Sequence, residues 1–252
     1  MIFNPKDGWW SLDYFNSGEW QVVQEKLDDL EQARVAINPA RENLFKALDS
    51  TPFESVRVAI IGQDPYPGEG VATGIAFSIP PYITPFPPTL VNLLREYKSD
   101  LKYGQPKTGD LTPWVRQGVL LWNAIPSCNR FKSLSHDWDE WSFLTKEIVV
   151  RLAARGIVFA FLGAVARRYT GFVTSDNNSV IETSHPSPRG SASSKVPFLG
   201  SRLFSTINAK LLEEGEEPIN WRLPDGETKG RRRQDSQSLG GNRILSNSNA
   251  SE

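Results

Sequence analysis

The sequence predicts an α/β fold: a three-layer α/β/α arrangement with a central, mainly parallel four-stranded sheet. Three observations predict it. Four short apolar runs, Val56–Ile61, Val119–Trp122, Ile157–Leu162 and Val180–Thr183, read as strands, the first of them rich in β-branched residues. Helical patterns stand between the runs, and strands alternating with helices imply parallel pairing with both sheet faces covered. At 252 residues the chain can bury a full core in one domain with extensions.

The elements follow in order. Trp20, Val23, Leu27 and Leu30 recur at helical spacing, so a helix is expected from about residue 18 to 33, with Ser17 as its N-cap. Asn38-Pro39 reads as an N-cap followed by proline at the first helical position, with Leu44, Phe45 and Leu48 facing the core. Residues 1–50 thus form a helical N-terminal part. Residues 79–88 hold five prolines and predict a stiff, non-helical loop. Helices are expected at about 89–97, 138–154 and 200–214. From about Asp225 the composition turns to Gly, Ser, Asn, Arg and Gln without periodicity. Residues 1–224 are therefore read as one domain, and 225–252 as a disordered tail in which Arg231-Arg232-Arg233 is solvated. There is no internal repeat.

Composition excludes several classes. Hydrophobic content of 39% and charged content of 23% suit a globular protein in water. No apolar run approaches the length of a membrane span, and the N-terminus lacks a secretory pattern, so an intracellular protein without membrane contact is expected. Cys128 is the single cysteine, which forbids an internal disulfide. With only His136 and His185 besides, a Cys/His zinc site or four-cysteine cluster cannot be built. No metal and no cofactor is expected, and zinc-dependent base deamination is disfavoured. The net charge of −1 does not announce a nucleic-acid binder. The segment from His185 to Lys210 nevertheless carries Arg189, Lys195, Arg202 and Lys210 and no acid.

In an open parallel sheet, ligands bind outside the carboxyl ends of the strands. Here those ends carry Gly62-Gln63-Asp64, Trp122-Asn123, Leu162-Gly163 and Ser184-His185-Pro186-Ser187-Pro188. The first apolar run stops at a carboxylate, and a Gly/Pro-rich turn then leads to Tyr66 and Phe77. An acid on a rigid turn beside two rings suits chemistry on a flat ring such as a nucleobase. The glycines from Gly62 to Gly70 lack a following Gly-Lys-Ser/Thr and are not a P-loop.

Several motifs resemble those of the family-one uracil-DNA glycosylases. They are Gly62-Gln63-Asp64-Pro65-Tyr66-Pro67, Gly74-Ile75-Ala76-Phe77-Ser78, Pro87-Pro88-Thr89-Leu90 and Gln117-Gly118-Val119-Leu120-Leu121-Trp122-Asn123. Ser135-His136 with Trp141, His185-Pro186-Ser187-Pro188 and Pro218-Ile219-Asn220-Trp221 complete the set, in the family's order, between about Asn38 and Trp221. The resemblance implies hydrolysis of the N-glycosidic bond of a flipped-out deoxyuridine, as in base excision repair. It makes Asp64 the carboxylate beside the positive sugar and His185 a neutral donor to the base, helped by the backbone N–H of Gln63. Asn123 would read the uracil edge, since an amide both donates and accepts. Tyr66 would exclude a 5-methyl group, and Phe77 would stack on the base. Thr89, Ser187, Arg189 and Ser191 are the candidate DNA contacts, with the neighbouring serines up to Ser194.

Three positions depart from the family pattern. Pro67 stands for the usual histidine, Gly163-Ala164 for a Gly-Ser pair, and Arg189 for a leucine that wedges into the base stack. Poxviral members look similar in the first and third respects and also serve as processivity factors. The expected partner is uracil-containing DNA, single- or double-stranded, with single strands favoured if Arg189 does not wedge. A proteinaceous glycosylase inhibitor or a replication protein is a further expected partner, and the chain is expected to be a monomer acting at DNA. The alternative from another class is a DNA-binding replication accessory protein on the same fold with reduced excision.

Overall fold

The computed structural model describes residues 8–188 and 195–224. In chain order it contains α1 (Glu19–Gln32), β1 (Ile37–Asn38), α2 (Lys46–Ser50), β2 (Val58–Gly62), α3 (Pro88–Leu101), α4 (Thr112–Val115), β3 (Val119–Asn123), β4 (Cys128–Asn129), α5 (Asp139–Ala153), β5 (Val158–Leu162), α6 (Ala164–Arg167), β6 (Ser179–Thr183) and α7 (Leu203–Glu213). The central sheet has the order β3-β2-β5-β6, and all its pairings are parallel. Strands β2 and β5 are buried at every position, as a sheet covered on both faces requires. The four predicted strands are present, each within two residues of its expected ends.

Alternation along the strands divides the core into two layers. Ala59, Ile61, Leu120, Trp122, Phe159 and Phe161 face α1, α2 and α5 on one side. Val58, Ile60, Val119, Leu121, Val158 and Ala160 face α3, α4 and α7 on the other. The first layer is closed by aromatic rings from the N-terminal segment. Tyr14 stacks on Trp141 at 6.1 Å, and Trp20 meets Phe45 edge-on at 5.0 Å. The second layer is pinned by the carboxylate of Glu96, buried on α3, which accepts from the N–H groups of Gly200 and Arg202 at 2.6 and 2.7 Å. Those bonds fix where α7 begins.

Two expected caps are absent. Ser17 does not cap α1; Gly18 occupies that position with φ +97°, and the Ser17 N–H closes the preceding turn onto Asp13. Asn38 and cis Pro39 do not open a helix. Asn38 lies in β1, paired antiparallel with β4, and its side chain donates to the carbonyls of Tyr66 and Gly68 at 3.1 and 2.8 Å. The amide has been recruited to hold another turn, so helix formation waits until Lys46, after a short 3-10 turn over Arg41–Asn43. Leu44, Phe45 and Leu48 are buried as expected. No helix among the described residues is long and apolar enough to cross a membrane.

Candidate active site

The carboxyl ends of β2 and β3 and the segment after β6 open onto one cavity of about 250 Å³. Its lining includes Gln63, Asp64, Tyr66, Phe77, Asn123, His185, Thr89 and Ser187. The structure thus brings together all six residues expected to handle the base and two of the expected DNA contacts. Arg189 and the serines from Ser191 to Ser194 lie outside the described residues, as does the tail from residue 225.

Asp64 sits two residues past β2, on a turn held from several sides. Its Oδ1 accepts from the Gln63 side chain at 3.0 Å. Its Oδ2 accepts from the Ser133 hydroxyl at 2.6 Å and from the Leu134 N–H at 2.7 Å. The buried Cys128 thiol, pushed up to about 12 by burial with Asp64 adding to the shift, stays protonated and donates to the Pro65 carbonyl. A carboxylate oxygen accepts more than one bond, so Oδ1 retains capacity for a water.

His185 follows β6 and lines the same cavity. Its Nδ1 accepts the backbone N–H of Ser187 at 3.2 Å, a group that can only donate, so Nδ1 carries no proton. Burial lowers its pKa to about 4, against a smaller opposing pull from Asp64. The ring is therefore neutral at pH 7 with its single proton on Nε2. Gly163 makes room for it: the backbone there has φ +99°, and a Cβ would lie 2.8 Å from His185 Cβ. Asn92 on α3 donates to the Pro186 carbonyl at 2.9 Å and anchors the same loop.

Phe77 and Asn123 form the floor. Phe77 has φ +64°, a left-handed conformation that bulky residues rarely adopt, and the Tyr66 hydroxyl donates to its carbonyl at 3.0 Å. Burial also raises the Tyr66 pKa, so the phenol stays protonated and the bond persists. At Gly62 a Cβ would lie 2.7 Å from the Phe77 ring and 2.9 Å from Asn123 Oδ1. Glycine lets ring and amide share one slot. Among the described residues no protein group takes up the Asn123 side-chain amide, which leaves its donors and acceptor for a ligand.

His136 has a different place. It is buried between Ser127 at 2.8 Å and Asn129 at 2.6 Å and stacks on Trp138 at 4.1 Å, outside the cavity lining. Two cations of the acid-free segment after His185 lie near carboxylates. Arg202 lies 3.9 Å from Asp100, and Lys210 2.7 Å from Glu213.

A partly enclosed cavity with an aromatic floor, an unclaimed amide, a carboxylate and a neutral imidazole fits a planar heterocycle attached to a sugar. The comparisons agree. A profile of the Uracil DNA glycosylase superfamily matches residues 48–212. This chain belongs to that superfamily. It is 38% identical to the uracil-DNA glycosylase of Bacillus velezensis over 87% of this chain and 96% of the relative. It is 43% identical to that of Mycobacterium leprae over 74% and 81%. The crystal structure of mimivirus uracil-DNA glycosylase superposes with a TM-score of 0.77 at 27% identity, covering 88% of both chains. A mimivirus variant in complex with UGI is equally similar, with a TM-score of 0.77.

Of the positions that depart from the family pattern, Pro67 lines the cavity without a side-chain donor, and Ala164 is exposed at the start of α6. Ser133 and the Leu134 N–H are the site groups that sequence reasoning missed. Ser133 lies between motifs in an irregular turn with no periodicity of its own. Only the contact, 69 residues away in sequence, reveals it.

Proposed function

We propose that this protein excises uracil from DNA, hydrolysing the N-glycosidic bond of an extruded deoxyuridine and leaving an abasic site. The observation that carries the reading is the placement of Asp64 and His185 on one cavity whose floor is Phe77 and Asn123. Extrusion exposes the bond, and the base enters the slot against Phe77. The Asn123 amide accepts from N3–H and donates to O4, an arrangement cytosine cannot satisfy. Tyr66, fixed by its bond to the Phe77 carbonyl, stands where a 5-methyl group would need to fit.

Chemistry then divides between two charges. As the bond from C1′ to N1 breaks, its electron pair moves onto the base and the sugar becomes oxocarbenium-like. The Asp64 carboxylate faces the positive sugar. The Nε2–H of His185 and the backbone N–H of Gln63 meet the negative O2, in a setting where fixed dipoles act strongly. A water oriented by Asp64 adds to C1′ and loses a proton, and uracil leaves as a stabilised anion that is later protonated. The Ser133 hydroxyl and Leu134 N–H keep the carboxylate aimed.

Thr89 and Ser187 line the cavity and would contact phosphates, Thr89 from the first turn of α3, where N–H groups favour anions. Residues up to 224 form the catalytic domain in this reading. Every group it uses comes from one chain, so a monomer suffices, working on DNA inside the cell. UGI is a further expected partner, tested by its competition with uracil-containing oligonucleotide. Incubation with oligonucleotides bearing uracil, thymine or cytosine, followed by cleavage at abasic sites, tests the function. Abasic product from uracil alone supports it, and tight binding without product favours an accessory protein.

A further inference from the structure

The turn from Arg130 to Leu134 holds two apolar side chains in water beside the cavity. Phe131 is 75% exposed and Leu134 42%. Both have left-handed backbone, with φ of +64° and +60°. Six non-glycine residues among those described share this conformation, and three of them, Arg34, Lys102 and Arg202, sit at helix ends. The other three are Phe77, on the cavity floor, and the pair on this turn. Strained backbone of this kind persists only where surrounding contacts impose it and tends to mark functional sites.

The contacts that impose it are strong. The Phe131 N–H donates to the carbonyl of Pro67 at 2.8 Å, and Lys132 N–H to Asn129 at 3.0 Å. The Ser135 hydroxyl bridges from the Asn129 N–H to the Lys132 carbonyl, at 2.7 and 2.8 Å. Ser133 and Leu134 are bonded to Asp64. The backbone that carries the exposed phenyl ring is thus fixed: Phe131 is two residues from Ser133, which lines the cavity, and its N–H is bonded to Pro67, which also lines it. Burial in this chain gives no reward for that position. Arg130 is paired with Glu69 at 2.7 Å, whereas Lys132 is exposed and makes no ion pair among the described residues.

We propose that Phe131 is a stacking platform for a nucleobase next to the excised uracil, with the Lys132 ammonium serving the adjoining phosphate. The proposal rests on the reading of the cavity as a uracil site. An exposed ring on a fixed turn, followed in sequence by an exposed cation, fits a DNA strand beside the cavity, because every base presents a π-face and every linkage a negative charge.

The test uses single-stranded oligonucleotides with one uracil, either intact or with the neighbouring nucleotides replaced in turn by a baseless tetrahydrofuran. Phe131→Ala should raise KM on intact DNA roughly 5- to 150-fold, the range for loss of one base–aromatic stack, with kcat little changed. Phe131→Trp should retain the wild-type KM. On the substrate lacking the stacked base, wild type and Phe131→Ala should converge. Equal KM values on intact DNA, or the same loss with and without the neighbouring base, overturn the proposal. If the wild type releases no uracil, the cavity reading fails instead. Stacking is then read alone, from quenching of 2-aminopurine beside uracil in bound oligonucleotide; quenching lost in Phe131→Ala supports the platform and unchanged quenching overturns it.

Discussion

The Ser133 hydroxyl donates to Oδ2 of Asp64 at 2.6 Å, joining two turns that lie 69 residues apart in sequence. The bond fixes the direction of a carboxylate whose placement beside the sugar decides how well it opposes positive charge. Ser133→Ala removes one of three donors and leaves those from Leu134 and Gln63. A hydrogen bond to a charged, partly exposed group is worth on the order of 1 kcal/mol. We therefore expect kcat to fall roughly 3- to 10-fold with KM unchanged, and Ser133→Thr to restore most of it. Steady-state excision by the three proteins checks this, and a change confined to KM would contradict it.

His185 should remain neutral across the physiological range. Its Nδ1 is held as an acceptor by Ser187 N–H, and burial lowers its pKa to about 4. Nitrogen-15 NMR of the imidazoles should show His185 as the Nε2–H tautomer from pH 6 to 8, without a titration step near the ordinary histidine value. With only two histidines in the chain, His136→Gln completes the assignment. A His185 midpoint near 6.5 would contradict the proposed donor role.

The buried histidines also make stability depend on pH in a definite direction. His136 is held between Ser127 and Asn129, and burial lowers its pKa to about 4. An unfolded histidine binds its proton near 6.5, so between about 4 and 6.5 the unfolded state holds more protons. Stability should therefore be highest above about pH 6.5 and decline as pH falls toward 4, by up to about 3 kcal/mol for each such histidine. Urea midpoints across that range measure it. His136→Gln should flatten the dependence, and an unchanged slope in that variant would refute the assignment.

Gly62 is expected to be intolerant for a local reason. A Cβ there would collide with the Phe77 ring and the Asn123 carbonyl oxygen together. Gly62→Ala must displace the floor of the slot, so excision should drop at least about tenfold, even where thermal unfolding shows a folded protein. Overpacking of this kind costs about 1–3 kcal/mol. Wild-type turnover in Gly62→Ala would show that ring and amide do not jointly bind the base.

Much of this architecture was legible in the sequence because burial on both sheet faces leaves continuous apolar runs, as at Val58–Gly62 and Val158–Leu162. The residues that end those runs then converge by topology, which is why the sequence alone groups Asp64, Asn123 and His185. The N-terminal region was harder to read. Trp9 and Tyr14 are core residues carried on short 3-10 turns, which have no hydrophobic period to detect. Asn38 and Ser17 look like caps locally, but tertiary bonds and Gly18 decide otherwise. Ser133 was invisible for a similar reason: its partner is distant and its turn irregular.

The central claim is that Asp64 and His185 act together on a uracil held over Phe77 and Asn123. Release of free uracil from a single-stranded oligonucleotide by wild type and Asp64→Asn, beside thymine and cytosine controls, tests it most directly. The account predicts release of uracil alone by the wild type, leaving abasic sites. It predicts release at least about 100-fold slower by Asp64→Asn, the scale expected when a fixed charge is lost from a transition state. No uracil from the wild type, or undiminished release by Asp64→Asn, would contradict it.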